Sequence, residues 1–387
     1  MFDFSVPSDT QLLVDTVRRF VTQEVQPLEN ETEALGHVPP EALKRVRGKA
    51  QELGLFAMNM PEDCGGGGLD NVTMCLVEEE FGKTSDALIR RVFGQVYPML
   101  LPCNAAQREK YLLPTVKGDK ICAMAITEPG AGSDAASIST TARLDGDRWV
   151  LNGGKHFISD GDIADYVIVM ALTDKEKRAR GGITLFLVDK GTPGFTVNRV
   201  QPMMGHRGYG HAELSFDECS IPADSVLGEV GGGFKLIMNS VAGIRLAHIG
   251  ARAVGMASRV LEMMRTYASE RKQFGQPIGD FQMVQQMIAD SATEIFATRM
   301  MVLNTAWELD QGREPRDKVS MVKLYASEMI GRVADRGIQV FGGMGFCKDL
   351  PLERIYRDSR VTRLYDGTSE IHRMLIAKAV IKNGLVL

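Results

Sequence analysis

Two motifs that would announce metal chemistry are absent from this 387-residue chain: it has no CxxC pair and no HExxH. Its six cysteines, at positions 64, 75, 103, 122, 219 and 347, are scattered, which argues against a zinc cluster and against a disulfide framework. His206 and His211 share the loop "GHRGYGH", but their spacing alone makes a poor metal site. No apolar run is long enough to span a bilayer. An excess of one charge is also missing: the formal net charge is -4, so nothing electrostatic points to nucleic acid or to an anionic membrane surface. The N-terminal "MFDFSVPSDTQLL" lacks the basic and apolar blocks of a signal peptide and the arginine bias of a transit peptide, so a cytoplasmic chain is expected. What is present, 44% hydrophobic and 24% charged residues over a length that favours two or three domains, fits an ordinary globular protein.

Apolar residues recur at helical spacing from Ser8 to about Gly118, broken by "HVPP", "MPEDCGGGGLD" and "VYPMLLP". Short β-rich runs then take over, among them "RWVLNG", "DYVIVMAL", "GITLFLV", "FTVNRV" and "AELSFDECSI", spaced by glycine-containing turns. Helical stripes return at Gly233. The division expected is therefore a helical domain over 1–118, a middle sheet or barrel domain over 119–232 and a helical domain over 233–387, a mainly α protein around a central β segment. In the last part "DKVSMVKLYASEMIGRVADRGIQVFGG" opens on Asp317 as N-cap and stops at Gly342-Gly343. His248 falls on an apolar helical face and reads as a core histidine.

Five clusters hold candidate chemistry. "AITEPGAGSDAAS" (125–137) offers Gly, Ser and Thr donors for a phosphate or a ring edge, or is a structural turn; it is neither G-x-G-x-x-G nor a P-loop. "ERKQFGQPIGDFQ" (270–282) lets Arg271 hold an anion, or is a solvated helix end. "QVFGGMGF" (339–346) permits close backbone approach to a ligand, or merely ends a helix. Arg90-Arg91 is a surface helix face or a pair of pocket cations. In "RLYDGTSEIHR" (363–373) a hydroxyl caps the following helix, and Asp366-Gly367 is either a turn or a site for proton transfer.

In combination, "TEPGAGSD", "RKQFG", "QVFGGMG" and the C-terminal "YDGTSEI" resemble the acyl-CoA dehydrogenase family of flavoproteins, over essentially the whole chain. The resemblance implies an N-terminal helical domain, a middle β-barrel-like domain and a C-terminal four-helix bundle, with FAD as cofactor, a homotetramer and electron-transferring flavoprotein as electron acceptor. It places Met124, Ile126, Thr127 and Ser133 along the flavin ring, with Phe157 and Ser159 on its other side; many relatives carry Trp at the position of Phe157. It assigns Arg271, Phe274 and Gln282 to the FAD of a neighbouring subunit, Gln339, Gly342 and Gly343 to its ADP portion, and Thr368 and Glu370 to completing the site. For the thioester ligand it implies Ser133, Arg245, Gly367 and Lys378. The acidic neighbour common three residues before that arginine is Ala242 here, and the rarer base position on the same helix is Ile244.

The family's base position is Asp366, where most members carry glutamate. Its backbone N–H would also stabilise charge on the thioester oxygen. Aspartate is one methylene shorter, which withdraws the carboxylate by ~1.5 Å, and misplacement of about 1 Å costs on the order of 10²-fold in rate. A bulkier or cyclic acyl group would bring its proton closer, and dehydrogenases of cyclohexane- and cyclohexene-carboxyl-CoA are similar to this chain in using Asp. Three other readings stand beside this one: a short- or branched-chain acyl-CoA dehydrogenase, an oxidase resembling nitroalkane oxidase, and a catalytically dead flavin-binding scaffold.

Overall fold

The computed structural model describes residues 5–94 and 96–384, so the first four residues of the N-terminal stretch read above lie outside it. Helices Ser8–Phe20, Pro40–Glu52, Asn71–Phe81 and Asp86–Phe93 form most of the first part. Asp70 caps the third of these, its Oδ1 accepting from Thr73 N at 2.7 Å.

The middle part is an eight-stranded sheet: β1 (Cys122–Ala125), β2 (Thr141–Asp145), β3 (Arg148–Ser159), β4 (Tyr166–Leu172), β5 (Ile183–Asp189), β6 (Phe195–Val200), β7 (His211–Pro222) and β8 (Val226–Leu227). Their order is β6-β7-β3-β2-β4-β5-β8, with β1 parallel to β4. The expected barrel does not form. No ladder joins β6 to β8: β6 is an edge strand exposed almost throughout, and β8 is only two residues long. Both faces of the sheet are apolar. Tyr166, Ile168 and Met170 of β4 pack toward the N-terminal helices, while Val167, Val169 and Phe186 pack with Trp149 on the other face.

Four long helical stretches build the last part: Gly233–Gly243 running on through the π-helical Ile244–Ala251 into Arg252–Glu270, then Gln282–Asp310, Arg316–Phe341 and Ser369–Asn383. Helix 316–341 touches the other three and also helix Leu352–Val361. Pro315 precedes it and Asp317 sits inside its first turn, so the expected Asp317 cap falls within the helix, where its Oδ1 accepts from Lys318 N. The N-terminal helices and this bundle share one hydrophobic core, which runs from Val17 and Phe81 to Val254 and Val333.

Buried ion pairs cross the joints. Glu29 accepts from Arg259 at 2.7 Å, from Arg354 at 2.6 Å and from Thr84 at 2.8 Å, tying the N-terminal part to two C-terminal helices. Replacing it leaves two guanidinium groups without their carboxylate. Glu29→Ala is therefore expected to cost about 3–5 kcal/mol, read as a fall in denaturant midpoint at unchanged m-value. A midpoint equal to that of the parent protein would show that Glu29 does not hold the joint.

Candidate active site

The segment between helices 352–361 and 369–383 is a tight turn. Asp366 and Gly367 take successive left-handed conformations, φ +53° and +94°; aspartate tolerates this better than most side chains and glycine tolerates it freely. Thr368 then caps the next helix, its Oγ1 accepting from Ile371 N at 3.3 Å. Three side chains from three helices grip the carbonyls of the turn. Arg245 Nε donates to Asp366 O at 2.8 Å, His372 Nε2 meets the same oxygen at 3.2 Å, and Lys323 Nζ donates to Gly367 O at 2.5 Å. A Cβ on Gly367 would lie 2.8 Å from His372 Nε2.

Burial holds the charges of this clamp in check. Lys323, fully buried, is lowered to about 8, and His372 to about 4, so the imidazole is neutral at pH 7. Burial also raises the Asp366 carboxyl above the ordinary carboxylate range, against the pull of Arg245, Lys323, His248 and Arg90. Among the described residues, no donor is bonded to either Asp366 carboxylate oxygen. The group is raised, unspent and on a fixed backbone, as a general base requires.

The other set of predicted residues lies on and beside β1 and β3. A register shift in the β3–β7 ladder between Lys155 and Ile158 turns Phe157 out of the sheet at φ +59°, half exposed and stacked on His156. Lys155, buried in the same strand, donates to Glu128 Oε1 at 2.8 Å and to Ile126 O at 3.1 Å. Glu128 also accepts from Ser139 N at 2.6 Å and Thr140 N at 3.0 Å; against the penalty of burial, the charge and hydrogen bond of Lys155, helped by these donors, bring its carboxyl down to about 2. His156 N donates to Thr127 O at 2.8 Å. This buried pair sets Ile126 and Thr127 beside Phe157, with Met124 just before them on β1 and Ser159 just beyond, while Ser133 stands at the exposed tip of the loop. Glu128 and Lys155 were not singled out in the sequence, where nothing but their proximity to the loop marks them.

The remaining cofactor candidates lie elsewhere. Arg271, Phe274 and Gln282 surround the hairpin β9–β10 (Lys272–Gln273, Gln276–Pro277), with Phe274 at the tip and almost wholly exposed. The stack of Tyr267 on Phe341 at 4.1 Å sets this hairpin beside Gln339, Gly342 and Gly343. Along helix 316–341, Lys323 and Gly342 are nineteen residues apart, about 28 Å at the helical rise. The clamp on the Asp366-Gly367 turn and the Gly342-Gly343 pair therefore stand at opposite ends of this helix. Glu370 is exposed at the start of helix 369–383, and Lys378 is exposed two turns farther along it.

Arg90 and Arg91 are not a surface face. Both are largely buried and turn toward Asp160, just after β3: Arg91 Nη2 to Asp160 Oδ1 is 2.5 Å and Arg90 Nη1 to Oδ2 is 3.4 Å. Arg90 Nε also binds Asp86 at 2.8 Å. His248 does not lie in an apolar core either. The π-helical turn aims it at Glu78, 3.3 Å away, and Arg252 joins Glu78 at 2.5 Å to Asp86 at 2.7 Å.

The chain matches the acyl-CoA dehydrogenase N-terminal domain over residues 7–119, the middle domain over 123–219 and the C-terminal domain over 231–381. It is 38% identical to acryloyl-CoA reductase (NADH) of Anaerotignum propionicum, covering 98% of this chain and 96% of that one. It is 37% identical to the mitochondrial short-chain specific acyl-CoA dehydrogenase of Homo sapiens (98% and 91%) and 35% identical to cyclohexane-1-carbonyl-CoA dehydrogenase of Geobacter metallireducens (98% and 100%). A chain from the structure of the electron transferring flavoprotein of Acidaminococcus fermentans superposes with a TM-score of 0.90 at 34% identity, over 99% of this chain and 100% of that one.

Gly367→Ala combines a left-handed residue with a clash on His372. It is expected to cost about 1–3 kcal/mol in unfolding free energy, measured by denaturant titration. An unchanged midpoint would mean the turn relaxes and its carbonyl clamp is not rigid.

Proposed function

The chain belongs to the acyl-CoA dehydrogenase family, and from that premise we propose that Asp366 is the base that opens an α,β-dehydrogenation of a cyclic or otherwise bulky acyl-CoA. As a family member it is an FAD-dependent oxidoreductase acting on the CH–CH bond of acyl-CoA thioesters. The observation that carries the assignment is the free, raised carboxylate of Asp366 on a turn whose two carbonyls are clamped by Arg245, His372 and Lys323. Asp366 takes the proton from the carbon next to the thioester carbonyl. Its own backbone N–H lies in the same turn and, among the described residues, is bonded to no acceptor; it donates to the thioester oxygen as negative charge builds there. FAD bound here would supply the acceptor for the hydride leaving the β-carbon.

The residues present suit FAD. On the family assignment Met124, Ile126 and Thr127 would hold one side of the flavin ring and Phe157 and Ser159 the other, with Ser133 at the rim. Arg271, Phe274 and Gln282 are assigned to the FAD of a neighbouring subunit, Gln339, Gly342 and Gly343 to its ADP portion, and Thr368 and Glu370, on the Asp366 side, to completing the site. The ~28 Å along helix 316–341 between the Asp366 clamp and Gly342 supports sharing between copies. So do the exposed Phe274, Met283, Phe296, Phe346 and Ile381 on the bundle, which suit a homotetramer interface. Arg245 and Lys378 are assigned to the CoA side, Arg245 in addition to its hold on Asp366. Electron-transferring flavoprotein is the proposed acceptor, supported by the family and by the likeness to the Acidaminococcus structure.

The cyclic acyl group is supported by the short base and by the Geobacter relative. A short straight chain is the second reading, favoured by the human relative. Anaerobic titration with butyryl-, isobutyryl-, octanoyl-, cyclohexanecarbonyl- and cyclohexenecarbonyl-CoA separates them: selective flavin bleaching by the ring thioesters is expected, and bleaching by straight chains alone would remove the cyclic proposal. Oxygen uptake on a nitroalkane without any acyl-CoA would instead make the protein an oxidase.

Asp366→Asn is expected to retain flavin and bind acyl-CoA while losing about 10²–10⁴-fold in flavin reduction; parental rates would place the base elsewhere. Because Asp366 must be ionised to act and its carboxyl is raised above 3.8, the reduction rate should fall on acidification with an apparent midpoint above that value. A midpoint at or below 3.8 would contradict the role of burial. Arg271→Ala should lower bound flavin per chain, measured by absorbance after gel filtration, and unchanged content would remove Arg271 from the cofactor site.

A further inference from the structure

Arg90 contacts one part of the proposed site and acts by its charge on the other. Its guanidinium reaches Asp160 at the end of β3, the strand that carries Phe157 and Ser159, and its charge acts on the Asp366 carboxyl. It also lies 4.6 Å over the Tyr209 ring and pulls on the hydroxyl of buried Tyr97. If the acyl group lies between Asp366 and the flavin, as the proposed function requires, Arg90 forms part of its wall.

That wall is rich in hydrogen-bond donors yet electrically balanced. Arg90, Arg91 and Arg252 are matched by Asp86, Asp160 and Glu78, and each cation has a carboxylate within 2.8 Å. A guanidinium has five N–H groups, and the bonds of Arg90 to Asp86 and Asp160 do not use them all. Beside it, Ser85, Asp86, His248 and Tyr365 line an internal cavity of about 40 Å³, and the buried Ser85 Oγ has no hydrogen-bond partner. The space suits an oxygen substituent or a few waters, but no extended chain. A plain hydrocarbon would desolvate donors without replacing their bonds. A carboxylate would add a charge for which this balanced cluster has no free counterion.

We propose that the acyl group carries a neutral oxygen, a hydroxyl or keto group, that is read by Arg90 and by the Ser85 side of this cavity, with Arg90 as the specificity-determining residue. The inference deepens the proposed function and rests on it. Sites built to bond a substrate oxygen reject the analogue lacking it by up to about 10⁴–10⁵-fold, so a preference of at least ~10²-fold in kcat/KM is expected.

The test uses the flavin-loaded protein and matched substrates: cyclohexanecarbonyl-CoA, its 3- and 4-hydroxy and 4-oxo derivatives, 4-carboxycyclohexanecarbonyl-CoA, butyryl-CoA and 4-hydroxybutyryl-CoA, each followed by anaerobic flavin reduction. An oxygenated member should exceed its hydrocarbon parent. In Arg90→Met/Asp160→Asn, which removes one charge of each sign, the ratio should collapse to below about tenfold, while the hydrocarbon rate falls less. Ser85→Ala should reduce the ratio without disturbing any ion pair, and it decides the matter if the double variant does not fold. A hydrocarbon parent equal to or better than its oxygenated partners overturns the inference and leaves the dehydrogenase reading intact. Preference for the carboxylated ring overturns the neutral-oxygen assignment. Bleaching by none of these thioesters overturns the proposed function, and this inference falls with it.

Discussion

The pairing of buried charge with buried charge decides how the three parts of this chain meet. An ion taken out of water without a partner costs several kcal/mol, more than most single contacts return, so the buried arginines at the joints dictate where carboxylates must be. Arg259 and Arg354 converge on Glu29, Arg252 bridges Glu78 and Asp86, and Arg91 with Arg90 reaches Asp160. The first two groups lock the N-terminal helices to the bundle, and the last fastens them to the sheet. Apolar packing joins the same elements, but it is non-directional. The ion pairs select the register in which the helices meet one another and the sheet.

The same economy operates at the site itself. Lys155 and Glu128 form a pair that never touches the reacting atoms, yet it fixes the loop containing Thr127 against the bulge that turns out Phe157. On the opposite side, Arg245 and Lys323 spend their donors on backbone carbonyls and leave the carboxylate of Asp366 unbonded. A base tied up by its own neighbours would be held at low pKa and would be a poor proton acceptor. Anchoring through the backbone gives Asp366 a fixed position without that penalty. A one-methylene-shorter side chain on a pinned turn has little freedom to change its reach.

Much of this was legible from local pattern. Short β-rich runs marked β3 to β7, helical stripes marked the bundle, and the "YDGTSEI" segment marked the turn and a hydroxyl cap, which the structure gives to Thr368. The closed barrel was not, because a β-rich run marks a strand and says nothing about whether the first and last strands meet. Arg90 and Arg91 read as a solvated face because adjacent arginines on a short helix usually are one, and their partner Asp160 lies some seventy residues away. His248 failed in the same manner: the stripe around it is apolar, but the wide π turn rotates it toward Glu78, 170 residues earlier.

The sequence by itself determined the family and the three-part order of helix, sheet and helix, since each depends on neighbours within a few turns or on a short motif. Only the tertiary structure decided which charges are buried together, that Lys323 and His372 grip the Asp366-Gly367 turn, and that this grip and Gly342 lie at opposite ends of one helix. Those outcomes depend on distances between residues far apart in the chain. A buried ion pair leaves no periodic trace in sequence, because its two members obey no common spacing and are joined only when the chain has folded.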